Sequence, residues 1–446
     1  MKQFEVAFIP VGVPTYELVS AGKEFEKSVK ALKGIDADIV VPDEMLLGLD
    51  KLKEFIDGLN PDLVIFQNAT FANAAFATEV LARFDCPFIL WTLREPMIDG
   101  TRLRMNSLTG AFSAANTYKA FRKEPLDYIF GSPEEEKVVQ KLRAAVRAAK
   151  VKFDLKNLNM ACIGHTPQGF GFGRALDAEM RTNFGVNLEC IEARELIAKA
   201  KSFSDEDIQS YLEDAANRTV GLNKTPENNR MDFARLYRAY KEYVDEHQIG
   251  ALASRCWPDF FTEFGTPVCT VLGILNDLGI PSACEVDSYG ALSMFVGQEL
   301  SGGPSFFGDP VSMDEKENSV TFWHCGMAAC SLARTDTGAE IGRHCNRHIG
   351  PTLEFGCKPE KNVTIFRIGK DSEGHVRFLI ASGEAMDKPK QFYGTSVVVK
   401  TSCSAEKFVY QAVEEGWEPH YVVIYADVAD ELEILGHQLN IPVERF

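Results

Sequence analysis

Short apolar runs alternate with helical stretches through the first third of the chain. VAFIPVG, ADIVV, PDLVIF, CPFILW and DYIFG lie between segments such as EFEKSVKALKG and ANAAFATEVLARF. This rhythm predicts a doubly wound parallel sheet over residues 1–155, with its ligand crevice at the carboxyl ends of the strands. The loops that follow those ends run from Gly12 to Tyr16, Asn68 to Phe71 and Arg94 to Ser107. A second βα register opens at LNMACIGHTPQGF, passes through a charged helical region at about 204–247 and the apolar runs GALAS and PSACE, and closes near residue 335. It predicts a second α/β domain over 156–345, in which NKTPENNR (223–230) reads as a loop between two helices. Beyond about residue 345 the period changes to strand alternation in VTIFRIG, HVRFLIASG and TSVVVKTS, followed by a strand, a helix and a strand in YVVIYADVADELEILGHQLNIPV. The expected fold class is α/β: two tandem doubly wound α/β domains, then a mostly antiparallel β sheet or small barrel over 346–446.

Composition narrows the partners. At 446 residues the chain is too long for one core, and its apolar and charged fractions of 45% and 25% are those of a folded globular protein. With 47 Lys+Arg against 64 Asp+Glu the net charge is −17, a field that repels phosphate backbones and anionic lipid, so neither nucleic acid nor membrane is an expected partner. No apolar run reaches the ~18 residues of a membrane span, and MKQFEVAFIPVG lacks the apolar core of a secretory signal, so a cytoplasmic protein is expected. The cysteines, among them Cys86, Cys162, Cys269 and Cys284, sit in apolar contexts without a C-x-x-C pair and read as buried, reduced thiols.

Three places carry candidate chemistry. Gly169, Gly171 and Gly173 in QGFGFGRAL follow a strand-like run, but the G-x-G-x-x-G spacing is absent, and a loop at the mouth of the second sheet is the simpler reading. HCNRH sets His344 and His348 at i, i+4, yet the flanking Gly342 and Gly350-Pro351 favour a loop with structural histidines over a zinc site. The richest segment runs from Pro281 to Ala329. There PSAC delivers Glu285 and Asp287, PSFFGD presents Asp309, and SVTFWHCG ends in His324. Acidic and imidazole groups at successive strand ends converge on the crevice of a parallel sheet. Several buried carboxylates raise one another's pKa unless a cation neutralises them, so a divalent metal is indicated, with oxygen-rich ligation favouring Mn²⁺ or Mg²⁺. The alternative is that Glu285 and Asp287 cap the next helix and Asp309 starts a turn.

CEVDSYGALSM, then FFGD and a glycine-containing HCG segment, resemble the L-fucose isomerase family and its shorter relatives. The similarity covers roughly residues 250–330 and 415–443. In that family a glutamate and an aspartate twenty-four residues later hold a metal, a spacing kept by Glu285 and Asp309, and a histidine in the C-terminal region completes the set. WEPH…LNIPV offers His420 at the matching place. RCWPDF resembles a tryptophan-containing pocket segment and puts Trp257 and Asp259 on the substrate wall. The chain is shorter than the typical members, carries Val13-Pro14-Thr15-Tyr16 where the larger enzymes have arginine, and has His324 in place of an amide.

The resemblance implies a metal-dependent aldose–ketose isomerase acting on a hexose or a deoxy or modified hexose. Shorter members of the group include enzymes acting on sulfoquinovose. It implies Mn²⁺, with Mg²⁺ or Co²⁺ as alternatives, and Glu285 and Asp309 as ligands that also exchange protons through a cis-enediol; a hydride shift remains open. Asp287 and His324 would contact the sugar or an ordered water. Arg94, Arg102 and Arg104 on the first-domain loop would meet sugar hydroxyls or a C6 anion, or be ordinary surface arginines. A homo-oligomer, trimer or hexamer, is implied, with a neighbour's first domain closing the pocket. The readings from other classes are a non-catalytic sugar-binding protein, which gives no reason to bury Glu285, Asp309 and His420 together, and a nicotinamide-dependent oxidoreductase, which needs a phosphate-binding turn.

Overall fold

The computed structural model describes residues 2–35 and 37–446 and divides into two compact units. The first comprises the chain up to Asp154 together with Asp430–Ile441. Its five-stranded sheet has the order Ile39–Val40, Val6–Val11, Leu63–Asn68, Phe88–Thr92, Asp127–Phe130, and every pair is parallel. Alternation along Val6–Val11 explains the double winding. Ala7, Ile9 and Val11 enter one core with Leu52, Phe76 and Tyr118, while Val6 and Phe8 enter another with Ala21, Leu32, Leu142 and Val146. Strands buried on both faces read as continuous apolar runs. The helix Ala429–Leu439 joins the second core through Ile434. In its last turn, His437 sets Nδ1 2.8 Å from Oδ1 of Asp127.

The 94–106 loop of this unit is tied down by Glu95, whose carboxylate accepts from the backbone N–H groups of Arg104, Met105 and Asn106 at 2.6, 3.1 and 2.9 Å. It exposes Met97, Ile98 and Leu103, and the helix that follows, Ser107–Phe121, exposes Leu108 and Phe112.

The second unit comprises Leu155–Ala429 and Pro442–Phe446. A four-stranded parallel sheet runs Asn187–Ile191, Asn159–Ile163, Ala251–Ser254, Ser282–Cys284. Beside it, six strands close on themselves by antiparallel pairing in the order Phe306–Asp314, Tyr421–Ile424, Glu360–Lys370, Val376–Ala385, Thr395–Thr401, Ser319–His324 and back to the first. Closure leaves this barrel no free edge among those strands. The expected small barrel is present, but it takes in Phe306–Asp314 and Ser319–His324, which the sequence pattern had assigned to the parallel sheet. Short buried runs look alike in the two settings.

The helix Ser288–Ser301 packs between the parallel sheet and the barrel strands, and eleven of its residues are buried. That explains the apolar character of GALSMFVG on all sides. Asp287 serves as its N-cap and accepts from the Gly290 N–H at 2.8 Å, so the capping reading holds for Asp287. The helix Glu227–His247 starts inside NKTPENNR, with Pro226 at the N-cap and Glu227 in the first turn favouring an earlier start than the loop reading allowed. No helix among the described residues is long and apolar enough to cross a membrane, and no disulfide forms among them.

Candidate active site

Strand register assembles the site. Gly308 pairs with Tyr421 and Asp309 with Trp323, so Asp309 lies beside His420 on one neighbour, and His324 lies beside Gly308 on the other. A Cβ at Gly308 would meet the Trp323 carbonyl at 2.5 Å, so only glycine allows this approach. Glu285 comes from the parallel sheet. It follows Ser282–Cys284 in a turn where Glu285 and Val286 have φ of +60° and +54°. Two consecutive left-handed residues, one β-branched, cost of order 1–3 kcal/mol each and mark a turn held for function.

Nε2 of His420 lies 3.1 Å from Oε2 of Glu285 and 3.5 Å from Oδ1 of Asp309. Its Nδ1 is 2.9 Å from Oδ2 of Asp287. One donor atom each from Glu285, His324 and His420 lie within 4.8 Å of one another. His324 is buried, and its Nδ1 has no hydrogen-bond partner among the described residues. Two imidazoles and two carboxylates, one imidazole nitrogen being an orphan, form a donor set that suits a divalent cation.

Behind this cluster Arg367, fully buried in a barrel strand, donates to both oxygens of Asp287 at 2.6 and 3.1 Å. Around it Phe307 and Phe172 place their rings 4.7 and 5.4 Å from His420, and Trp257 Nε1 donates to Oε1 of Glu285 at 3.0 Å. The glycine-rich loop is absorbed here. A Cβ at Gly173 would come within 2.7 Å of Asp287 Cα, so glycine lets Phe170 and Phe172 settle over the imidazole, and an anion at Gly173 would face a carboxylate.

Electrostatics divides the carboxylates. Burial pushes Glu285 up, but the His420 hydrogen bond and the charges of His324 and His420 outweigh it and hold the carboxyl below its usual range. Burial of Asp309 wins over the same histidines and raises it. Asp287 is lowered, because Arg367 and His420 outweigh its burial. Burial lowers His324, whereas hydrogen bonds to Asp287 and Glu285 overcome burial at His420 and raise it to about 9.

The residues singled out from sequence divide accordingly. Glu285, Asp309, His324 and His420 come together, and His324, expected at the sugar or an ordered water, sits among the candidate metal donors. Asp287 was expected at a sugar hydroxyl. It is 1% exposed and its oxygens are engaged by Arg367, Gly290 and His420, so it positions His420. Trp257 lines a cavity of about 260 Å³ with Glu285, while Asp259 is ion-paired to Arg255. In the first unit Arg94 forks onto Glu135 at 2.6 and 2.9 Å, Arg104 bonds Asp99 at 3.0 Å and Arg102 donates to the Thr15 carbonyl at 2.7 Å. His344 is buried edge-on against Phe261 in a turn, and His348 lies on the same turn. Sequence reasoning missed Arg367. The only signal for Arg367 is an arginine at an inward position of VTIFRIG, between apolar neighbours.

No family model matches the chain. It is 55% identical over 446 residues to the sulfoquinovose isomerase of Clostridium sp. (strain MSTE9), covering the whole of both chains. It is 35% identical over 450 residues to that of Priestia aryabhattai, again over both full lengths, and 35% over 441 residues to that of Alkalicoccus urumqiensis, 98% of each. Full-length identity at this level, together with a buried carboxylate–histidine cluster at the meeting of sheet and barrel, shows that the chain belongs to the sulfoquinovose isomerase family and is an aldose–ketose isomerase.

Proposed function

We propose that the chain isomerises sulfoquinovose, a glucose bearing a sulfonate at C6, to its ketose, using Mn²⁺ held by Glu285, Asp309 and His420, with Mg²⁺ or Co²⁺ as substitutes. The observation that carries this is the convergence of Glu285, His324 and His420 donor atoms within 4.8 Å, in a chain whose full-length relatives bear that name. The likeness to L-fucose isomerases in the Glu285 and Asp309 motifs supports the same chemistry.

When bound, the cation polarises the sugar oxygens and so acidifies the C2 proton. Glu285, held ionised, takes that proton as the C2–H electron pair forms the C1–C2 double bond, and passes it to O1 as the C1 carbonyl electrons move onto that oxygen, giving a cis-enediol. Asp309, whose burial raises its carboxyl and so favours proton uptake, takes the proton of O2 and delivers it to C1 as the C2 carbonyl forms, so that both carboxylates end as they began. Asp287 fixes His420, and the rings of Phe170, Phe172 and Trp257 keep water from the enediol.

The test is incubation of sulfoquinovose with purified chain and Mn²⁺ in D₂O, followed by NMR. Ketose carrying deuterium at C1 is expected. Ketose without deuterium would replace the enediol by a hydride shift, and no ketose would reject the substrate. We also propose a homo-oligomer, trimer or hexamer, on the strength of the apolar Met97, Ile98, Leu103, Leu108 and Phe112 left exposed on the first unit.

A further inference from the structure

Among the described residues that line the 260 Å³ cavity beside Glu285 there is one arginine, Arg347, and its setting differs from that of the neighbouring arginines. Arg255 is paired with Asp259 and Arg367 with Asp287. The Arg347 guanidinium has no hydrogen bond or ion pair among the described residues. It lies over two aromatic rings, 5.2 Å from the centre of Trp257 and 5.0 Å from that of Phe261. Rings hold a guanidinium by its face and leave its forked N–H edge free.

The turn that carries it is braced. The His344 N–H donates to the Ile349 carbonyl at 2.9 Å, the His348 N–H to the His344 carbonyl at 2.8 Å, and the Asn346 N–H to His344 Nδ1 at 3.3 Å. His344 itself is buried with its edge on Phe261. HCNRH thus builds a rigid mount for Arg347. Trp257 connects the two ends of the cavity, because the ring beneath Arg347 is the one whose N–H holds Glu285.

We infer that Arg347 receives the C6 sulfonate of the substrate and sets the enzyme's preference for a sulfonated over a neutral hexose. The inference rests on the sulfoquinovose reading and deepens it. A sulfonate offers three acceptor oxygens to a forked donor, and such charge-assisted bonds are strongest where water is scarce. Here Cys256, Cys269, Cys284 and Cys325 supply weakly polar walls around the cation. The net charge of −17 opposes an anionic substrate at long range, so its binding needs a local, unpaired positive group.

The experiment compares wild type, Arg347→Met and Arg347→Lys, each metal-loaded and checked for folding by circular dichroism and melting temperature, on sulfoquinovose and on its uncharged analogue 6-deoxyglucose. KM and the calorimetric Kd are both measured. Arg347→Met should raise both constants for sulfoquinovose on the order of 10- to 100-fold and leave those for 6-deoxyglucose within about threefold. Arg347→Lys should recover part of the loss, since a compact ammonium keeps the charge without the fork. Equal losses on both sugars, or none, in a folded variant overturn the role of Arg347; should Arg347→Met not fold, the same comparison on Arg347→Lys decides. A wild-type chain that turns over 6-deoxyglucose as readily as sulfoquinovose rejects the substrate reading itself, before any variant is compared.

Discussion

Oδ2 of Asp287 lies 2.9 Å from Nδ1 of His420 and 2.6 Å from a guanidinium nitrogen of Arg367, so one buried oxygen joins a candidate ligand to a buried counter-charge. A carboxylate can only accept, so Nδ1 carries the proton. When the ring is neutral, the Nε2 lone pair then faces Glu285 and Asp309. Asp287→Asn should lower Mn²⁺ affinity about 10- to 100-fold. It should also destabilise the fold by ~3–5 kcal/mol by leaving the buried Arg367 with only Glu418, 4.0 Å away, as counter-charge. Equilibrium dialysis with metal analysis and denaturant melts measure the two effects, and an unchanged affinity would separate Asp287 from the metal.

Glu285→Gln and Asp309→Asn keep shape while removing a charge. Both should remain folded and lose kcat by a factor of about 100 or more, as expected for a lost proton-transfer group. Chelation of the wild type should abolish turnover and Mn²⁺ should restore it. Full turnover by thoroughly metal-free chain would reject the metal altogether.

Proton release should accompany loading. In the metal-free site His420 is raised to about 9 and is therefore protonated at neutral pH, and a cation must displace that proton from Nε2. Apparent Mn²⁺ affinity should rise by roughly tenfold per pH unit between about pH 6 and 8. Calorimetry in buffers of different ionisation enthalpy reads the number of protons released. A value near zero at pH 7 would place His420 outside the coordination sphere.

A separate titration acts on the first unit. The Asp127 hydrogen bond raises the His437 pKa above its ordinary value, and burial opposes it only in part. A raised histidine stabilises the fold fully below its unfolded pKa, and that contribution is lost as pH rises through the folded pKa. The last turn of a helix favours the same cation. Asp127→Asn should therefore cost about 1 kcal/mol at pH 5.5 and much less at pH 9. Equal losses at both pH values in urea melts would show that packing dominates.

Light scattering should give a trimer or a hexamer. Ile98→Asp and Phe112→Asp, which place charge on the exposed apolar surface, should shift it toward monomer. A monodisperse wild-type monomer with full activity would end the oligomer proposal.

The parallel sheets were legible because strands such as Leu63–Asn68 and Asn159–Ile163 are continuous apolar runs set between helices at regular intervals. Glu285 and Asp309 were reached as acidic residues at strand ends, and His420 only through the resemblance to L-fucose isomerases. How they meet was not, since only the antiparallel register of Gly308 with Tyr421 and of Asp309 with Trp323 brings His420 and His324 to Asp309. The barrel's early start was hidden, because period alone does not distinguish a buried barrel strand from a parallel one. Arg367 and Arg347 depend on partners far away in the chain, which no local pattern encodes.

Residues 430–441 belong with the first 154, and Ile434 helps fill the core that Phe8 and Trp91 begin. During synthesis, the portion that leaves the ribosome first is therefore completed only near the end. Until Ala429–Leu439 emerges, it must wait with an apolar groove uncovered while residues 155–428 are made. A fragment ending at residue 154 inherits that groove permanently and should aggregate or bind chaperones. Adding the 429–441 peptide should rescue its solubility.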